Sequence, residues 1–392
     1  MDFELSDEQR LLTDSARAFA ARELAPHAAD WDREQHFPVE VIRRAAEQGY
    51  LALYLREEDS GLGLSRLSSS LIFEQLAAGC VATTAYLTIH NMATWILASF
   101  ADQALKDAWL PELINGQSLA SYCLTEPDAG SDAANLRTRA RRAGDDYVID
   151  GSKCFISGAG STDVLIVMAR SGEDGAKGIS CFLVPADTPG VRYGRNEDKM
   201  GWKAQPTRTI TFEGVRIPAS HRIGPEGEGF VYAMKGLNGG RLNIASCSLG
   251  AAQAALQQSL RYVEERKQFG KPLSQFQALQ FKLAQFKLAD MLTDLTASRQ
   301  MVRLAAHKLD HGHGEASLYC AMAKRFATDH CFNVCNEALQ LHGGYGYLND
   351  YPLERWVRDA RVHQILEGTN EIMRVIVARR LLQQGGMLDH LL

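Results

Sequence analysis

Apolar residues recur at helical spacing through roughly the first third of the chain, at strand-like spacing after it, and at helical spacing again to the end. Ser6-Asp-Glu-Gln9 has the form of a capping box, and Leu12, Ala16, Phe19 and Ala20 follow it as one stripe of a first helix. Further helices are predicted over residues 38–48, 67–79, 82–100 and 102–115, with a glycine- and charge-rich loop at 56–66. His90, inside the apolar segment 87–95, reads as a core histidine, with a pocket-lining role as the alternative.

The pattern changes near Ser118. Residues 147–156 place Asp150-Gly151 between two apolar runs, a hairpin signal. Strands are predicted at 164–169, 179–184 and 207–212, separated by Gly, Pro and Asp turns. That spacing points to a small barrel or sandwich rather than a parallel sheet.

After Gly229 the helical period returns, first over 243–268. Phe281, Leu288, Leu292 and Leu295 form the stripe of a second helix, widened by Leu279, Leu283 and Phe286. Ala323, Ala327, Cys331, Val334, Ala338 and Leu341 form a third, stopped by Gly343-Gly344, and a fourth runs from about Asn370 to Gln383. Four long helices predict a bundle, with apolar faces wide enough to bury surface against other subunits. The expected fold is therefore mostly α with a central β module. An N-terminal helical domain spans 1–119, a small β-barrel or sandwich 120–230, and a C-terminal four-helix bundle 231–392.

Composition narrows the function classes. The 392 residues are 46% hydrophobic and 23% charged, with a net charge of −5 and interspersed signs, which argues against a dedicated nucleic-acid surface. The longest apolar runs are too short to span a membrane. The eight cysteines contain no CxxC pair. Cys331 and Cys335, at i, i+4, lack a second ligand pair, so no metal is expected and the thiols read as small buried hydrophobes in a reducing compartment. Residues 1–10 are acidic and carry no targeting signal, so a bacterial cytosol is expected, or the mitochondrial matrix for a processed form.

The candidate chemistry centres on residues 361–374. Glu367 follows the apolar pair Ile365-Leu366 and precedes Gly368, and Thr369 can cap a helix whose first turn holds Asn370 and Glu371. Desolvation raises such a carboxylate toward the pKa of a useful base, and the helix N-terminus offers amides to a polar cofactor. The turn Tyr122-Cys-Leu-Thr-Glu-Pro-Asp-Ala-Gly-Ser-Asp132 can hydrogen-bond a heterocycle or a phosphate. There is no GxGxxG after a strand and no GxxxxGK[ST], so Rossmann and P-loop routes are unsupported. Gly224-Pro-Glu-Gly-Glu-Gly229 reads as a linker. Asn238-Gly-Gly-Arg241 places a guanidinium just before a long helix, and Arg266-Lys-Gln-Phe-Gly270 ends that helix; each can bind phosphate or merely complement a helix terminus.

Taken in order, the segments 122–132, Phe155-Ile-Ser157, Glu265-Arg-Lys-Gln-Phe-Gly270, Gln340-Leu-His-Gly-Gly344 and Leu366-Glu-Gly-Thr-Asn-Glu371 resemble the acyl-CoA dehydrogenase family, over nearly the whole chain. Within it, residues 151–160, 178–181, 201–208, 236–250 and 361–367 are most similar to members acting on a short branched acyl group. The resemblance implies Glu367 as the catalytic base and FAD between the β module and the bundle, in a homotetramer that is a dimer of dimers. Tyr122, Leu124, Thr125, Ser131, Phe155, Ile156 and Ser157 match positions on the flavin, with the Ser157 hydroxyl toward N5 and Phe155 where Trp is common. Arg266, Phe269, Phe276, Gln277, Gln340, Gly343 and Gly344 match positions reaching the FAD of a partner subunit, and Thr369, Asn370 and Glu371 match further FAD contacts. Ser131, Asn238, Gly239, Gly240, Arg241, Leu366 and Arg379 match acyl-CoA contacts. Asp128 stands where the family usually has Gly, which puts the shape of that turn in question.

The reaction so implied is α,β-dehydrogenation of isobutyryl-CoA to methacrylyl-CoA in valine catabolism. Glu367 takes the α-proton, a hydride leaves the β-carbon, and electrons pass to electron-transferring flavoprotein. Leu366, where relatives using straight chains carry Tyr, makes room for an α-methyl group, with 2-methylbutyryl-CoA and butyryl-CoA as alternatives. An acyl-CoA oxidase is a rival reading, set against a chain that stops soon after the last bundle helix. A non-catalytic DNA-associated member of the fold is another, opposed by the net charge of −5, the lack of a basic C-terminal extension and the presence of Glu367.

Overall fold

The computed structural model describes residues 4–275 and 284–383. Phe276, Gln277, Leu279, Phe281 and Leu283 lie outside the described residues. Six helices form the N-terminal part: α1 (Asp7–Phe19), α2 (Ala28–Glu34), α3 (Val39–Glu47), α4 (Arg66–Gly79), α5 (Val81–Phe100) and α6 (Gln103–Ile114). The capping box opens α1 as expected: Gln9 N–H donates to Ser6 Oγ (3.2 Å) and Ser6 N–H to Gln9 Oε1 (3.1 Å). Almost every residue of α5 is buried, as befits a helix apolar on all sides. His90 is a core histidine. It accepts from Ala120 N–H at Nδ1 (3.1 Å) and donates to the Leu113 carbonyl from Nε2 (3.0 Å), and burial lowers its pKa to about 4.

The β module is one mainly antiparallel sheet of eight strands: β1 (Ala120–Cys123), β2 (Arg139–Ala143), β3 (Asp146–Ser157), β4 (Val164–Arg170), β5 (Ile179–Pro185), β6 (Val191–Tyr193), β7 (Thr207–Pro218) and β8 (Arg222–Ile223). The spatial order is β6-β7-β3-β2-β4-β5-β8, with β1 parallel to β4. The predicted hairpin at Asp150-Gly151 is not a turn. The chain reverses at Gly144-Asp145, and β3 runs straight through 150–151. Asp150-Gly151 instead marks a register jump against β7, where Asp150 Oδ1 accepts from Gly214 N–H at 2.7 Å. Gly151 holds φ +141°, and a Cβ there would lie 2.7 Å from Thr138 Cα, so the glycine makes a bulge rather than a turn. The predicted strands coincide with β4, β5 and the first half of β7.

The C-terminal helices are α7 (Gly229–Glu265), α8 (Ala284–Asp310), α9 (Ala316–His342), α10 (Leu353–His363) and α11 (Asn370–Gln383). The α7 helix starts fourteen residues before its expected onset at 243 and spans 37 residues. Asn238-Gly-Gly-Arg241 therefore lies inside α7, not ahead of it. Two glycines cost a helix about 1 kcal/mol each, but α7 is sandwiched between α4 and α5 on one side and α8 and α9 on the other, and that burial overrides propensity. All eight cysteines are free and buried, and burial pushes thiols such as Cys331 up to about 12.

Glu74 of α4, almost fully buried, accepts from Arg299 Nε (2.9 Å) and Nη2 (2.5 Å) of α8, and Arg299 Nη2 also donates to Gln253 Oε1 of α7 (2.8 Å). This pair locks the N-terminal helices to the bundle. Arg299→Met leaves Glu74 as an unpaired buried charge, so chemical denaturation at neutral pH is expected to show a loss of about 3–5 kcal/mol. A loss below about 1 kcal/mol would show that the pair does not hold the helices together.

Candidate active site

The loop between α10 and α11 carries Glu367. Ile365 and Leu366 N–H both donate to the Val362 carbonyl (2.9 and 3.1 Å), closing the end of α10. Glu367 then takes φ +54°, uncommon for a residue with a side chain, and Gly368 takes φ +90°. Thr369 caps α11 as expected, its Oγ1 accepting from Ile372 N–H at 3.3 Å.

The loop is anchored to α9 from below. Lys324, fully buried, donates from Nζ to the Gly368 carbonyl (2.8 Å) and to Asn370 Oδ1 (2.9 Å). Asn370 Nδ2 donates to Thr328 Oγ1 (2.9 Å) and Asp329 Oδ1 (2.7 Å), its N–H donates to the Gln364 carbonyl (3.0 Å), and Gln364 Nε2 donates to Asp329 Oδ1 (2.9 Å). The side chain of Asn370 is thus spent on α9. It secures the turn from behind.

The left-handed turn lays the Glu367 side chain over α7. A Cβ on Gly240 would collide with Oε2, so the glycine at 240 is what admits the carboxylate. Oε2 is out of solvent and has no hydrogen-bond partner among the described residues, and burial raises the pKa to about 7 against the opposing charges of Lys324 and Arg241. Arg241 is buried, with Nη1 donating to Asn238 Oδ1 (2.8 Å) and Nε unpartnered, and its burial lowers its pKa. Tyr122 Oη is likewise buried without a partner, and its pKa is raised well above the usual value by burial, with Glu367 contributing. Unpartnered polar atoms of a carboxylate, a guanidinium and a phenol around one place cost free energy unless a ligand satisfies them. They fit a neutral polar group such as a thioester, whose carbonyl oxygen gains negative charge only as the α-proton leaves.

The other expected residues fall into two groups. Leu124 and Ile156 are buried, Thr125 and Ser157 half-buried, and Phe155, at φ +59°, is 70% exposed. Cys154 N–H donates to the Thr125 carbonyl (2.9 Å), which brings residues 122–125 and 155–157 together where β1 and β3 end. Ser131 is exposed beside them. Asp128 is exposed and pairs with Arg137 at 3.3 Å, leaving the turn closed between Glu126 and Ala129. Leu366 is half-buried next to Glu367, and Glu371 and Arg379 lie exposed on α11.

Arg266, Phe269, Gln340, Gly343 and Gly344 lie elsewhere. Arg266 caps α7 and sits over the Tyr345 ring at 5.1 Å, while Phe269 is 93% exposed at φ +48°. At 1.5 Å per residue, the 25 residues of α7 from Arg241 to Arg266 span roughly 37 Å, so one chain does not bring this group to Glu367. Among predicted cofactor residues, this set therefore faces outward at the far end of the bundle.

Three contributors carry no motif. Lys324 shows in sequence only as a lysine bordering the Ala323/Ala327 stripe. Tyr54 is buried, accepts from Asn243 Nδ2 (3.3 Å) and lies under Arg66 at 3.4 Å; burial raises its pKa, with Glu367 adding a little. Lys153 is fully buried and donates to the Leu124 carbonyl (2.9 Å) and Glu126 Oε1 (2.7 Å), bracing the 124–126 turn.

The raised pKa has a consequence for stability. The folded value near 7 exceeds the ordinary 4.5, so the native state holds the proton more tightly than the unfolded chain. Glu367 therefore costs nothing below about pH 4.5, and its cost grows to about 3 kcal/mol as pH rises through 7. Glu367→Gln is expected to be more stable than the parent by about 2–3 kcal/mol at pH 8 and nearly equal at pH 4.5 in denaturant titrations. Equal stability at both pH values would mean that the carboxylate is not desolvated.

Three family models cover the chain: acyl-CoA dehydrogenase N-terminal domain over residues 6–117, middle domain over 121–215 and C-terminal domain over 227–382. The mitochondrial isobutyryl-CoA dehydrogenase of Bos taurus is 52% identical over 380 residues, 97% of this chain and 90% of that protein. The structure of butyryl-CoA dehydrogenase from Megasphaera elsdenii superposes with a TM-score of 0.93 at 37% identity, covering 97% of this chain and all of that one (100%). A chain from a structure described as the electron transferring flavoprotein of Acidaminococcus fermentans gives 0.93 at 38% identity, covering 98% and 100%. The chain belongs to the acyl-CoA dehydrogenase family, flavin-dependent oxidoreductases acting on CH–CH bonds.

Proposed function

We propose that this protein dehydrogenates a short branched acyl-CoA, isobutyryl-CoA to methacrylyl-CoA, as a step of valine catabolism. In this reading it uses FAD, works as a homotetramer and passes electrons to an electron-transferring flavoprotein. The observation that carries the chemistry is the buried, unpartnered Oε2 of Glu367 beside Arg241 and above Gly240. A carboxylate near pKa 7 is a competent general base at neutral pH. The 52% identity to the bovine enzyme supports the substrate, and the Acidaminococcus structure supports the electron acceptor.

Glu367 removes the α-proton at Oε2. Its backbone N–H donates to the thioester carbonyl, a preorganised hydrogen bond to developing charge that is typically worth about 3 kcal/mol. Residues 122–125, Ser131 and 155–157 would hold the FAD, which would supply the acceptor for the hydride leaving the β-carbon. Arg241 Nε and the Tyr122 hydroxyl, both buried without partners, are free to hydrogen-bond the ligands. Arg266, Phe269 and residues 340–344 reach the FAD of a neighbouring subunit, which accounts for their distance from Glu367 within one chain.

Leu366 sets the room beside the α-carbon. Leu366→Tyr is expected to favour butyryl-CoA over isobutyryl-CoA by about tenfold in kcat/KM relative to the parent. For the parent, anaerobic titration of the yellow protein with isobutyryl-, 2-methylbutyryl- and butyryl-CoA is expected to bleach the flavin fastest with isobutyryl-CoA. Faster bleaching by another acyl-CoA overturns the valine-pathway assignment, and no bleaching by any of them overturns the reaction.

A further inference from the structure

We propose that Lys324 is a positioning residue for the reaction: its buried ammonium clamps the 364–370 turn from α9 and supplies the positive charge against which the Glu367 carboxylate is held. The inference rests on the proposed dehydrogenation. A lysine with no exposed surface is costly, and a methionine of similar length would fill the same space without desolvating a charge. The ammonium is spent on two acceptors, the Gly368 carbonyl at 2.8 Å and Asn370 Oδ1 at 2.9 Å, which flank Thr369 immediately after the base. These contacts fix the turn in which Glu367 and Gly368 both adopt positive φ, and so fix where the carboxylate lies over Gly240.

The charges around the pair come from every packed element. Arg241 faces Glu367 from α7, Tyr54 from the connection between α3 and α4, Tyr122 from β1, and Asp329 of α9 and Glu371 of α11 face Lys324. His363 at the end of α10 is neutral at working pH, since burial lowers it to about 3. Of these, Lys324 lowers the Glu367 pKa most, with Arg241 next. Burial lowers Lys324 itself to about 8, so it stays mainly protonated at pH 7. Removing its charge therefore moves the base upward and leaves more of it protonated at neutral pH. A purely structural lysine would not move that titration.

The test compares parent, Lys324→Met and Thr328→Val holoenzymes in two readouts. The first is the pH dependence of anaerobic flavin reduction by isobutyryl-CoA. The second is amide hydrogen exchange over residues 364–372. Lys324→Met is expected to shift the ascending limb of the pH profile upward by about one unit. It should also slow reduction at pH 7 several-fold and speed exchange in the loop. Thr328→Val, which loosens Asn370 but keeps the ammonium, should speed exchange while leaving the limb in place. A Lys324→Met protein with the parent's limb and the parent's exchange overturns the proposal; if that variant does not fold, Lys324→Gln is read by the same two criteria. Should the parent's flavin respond to no acyl-CoA, the dehydrogenase reading fails, and the exchange comparison alone still decides whether Lys324 clamps the loop.

Discussion

A carboxylate removed from water with one oxygen unsatisfied is the constraint on which this structure depends. The cost falls on Glu367, whose burial raises its pKa to about 7, and the surroundings are arranged to tolerate it. Arg241 and Lys324 offset part of the desolvation, from α7 and α9 respectively. The α7 helix gives up a side chain at Gly240 so that Oε2 can approach its backbone. The loop adopts two successive positive φ values to deliver the group there. Each of these features is locally unfavourable, and together they place a carboxylate oxygen out of solvent with a proton affinity suited to neutral pH.

The same loop is where the domains meet. Between β6 and β7, Trp202 N–H donates to Asp359 Oδ1 of α10 at 2.6 Å, and its Nε1 donates to His363 Nε2 at 3.2 Å. His363 therefore carries its proton on Nδ1 and donates to Ser248 Oγ of α7 at 2.6 Å. The β module, α10 and α7 are thereby fixed to one another four residues before the base. On the opposite wall, the buried Lys153–Glu126 pair holds the 124–126 turn of the proposed flavin site. Motion of either anchor would be felt at Glu367.

Much of this was legible in the sequence because it rests on local rules. Period, caps and glycine stops located the helices, including the box at Ser6 and the cap at Thr369, and the 361–374 segment singled out the carboxylate that burial perturbs. Errors came where tertiary context overruled local preference. Asp150-Gly151 has turn chemistry but is used as a bulge, because β7 supplies the partner that Asp150 needs. Asn238-Gly-Gly-Arg241 reads as lying just before a helix but falls within α7, because flanking helices bury that stretch. Lys324, Lys153 and Tyr54 were silent because their importance comes from hydrogen-bond partners 27 to 189 residues away, as in Lys153–Glu126 at 27 and Tyr54–Asn243 at 189. No spacing rule reaches that far.

The central claim is that the Glu367 carboxylate takes the proton from the α-carbon. Rapid-mixing measurement of flavin reduction by isobutyryl-CoA, protiated and deuterated at C2, tests it in the parent and in Glu367→Gln. Reduction of the parent is expected to be slower with the C2-deuterated substrate. Glu367→Gln is expected to lose about a thousandfold or more in rate, with FAD and substrate still bound. A Glu367→Gln protein that reduces its flavin at the parent's rate, with the same C2 isotope effect, would contradict it.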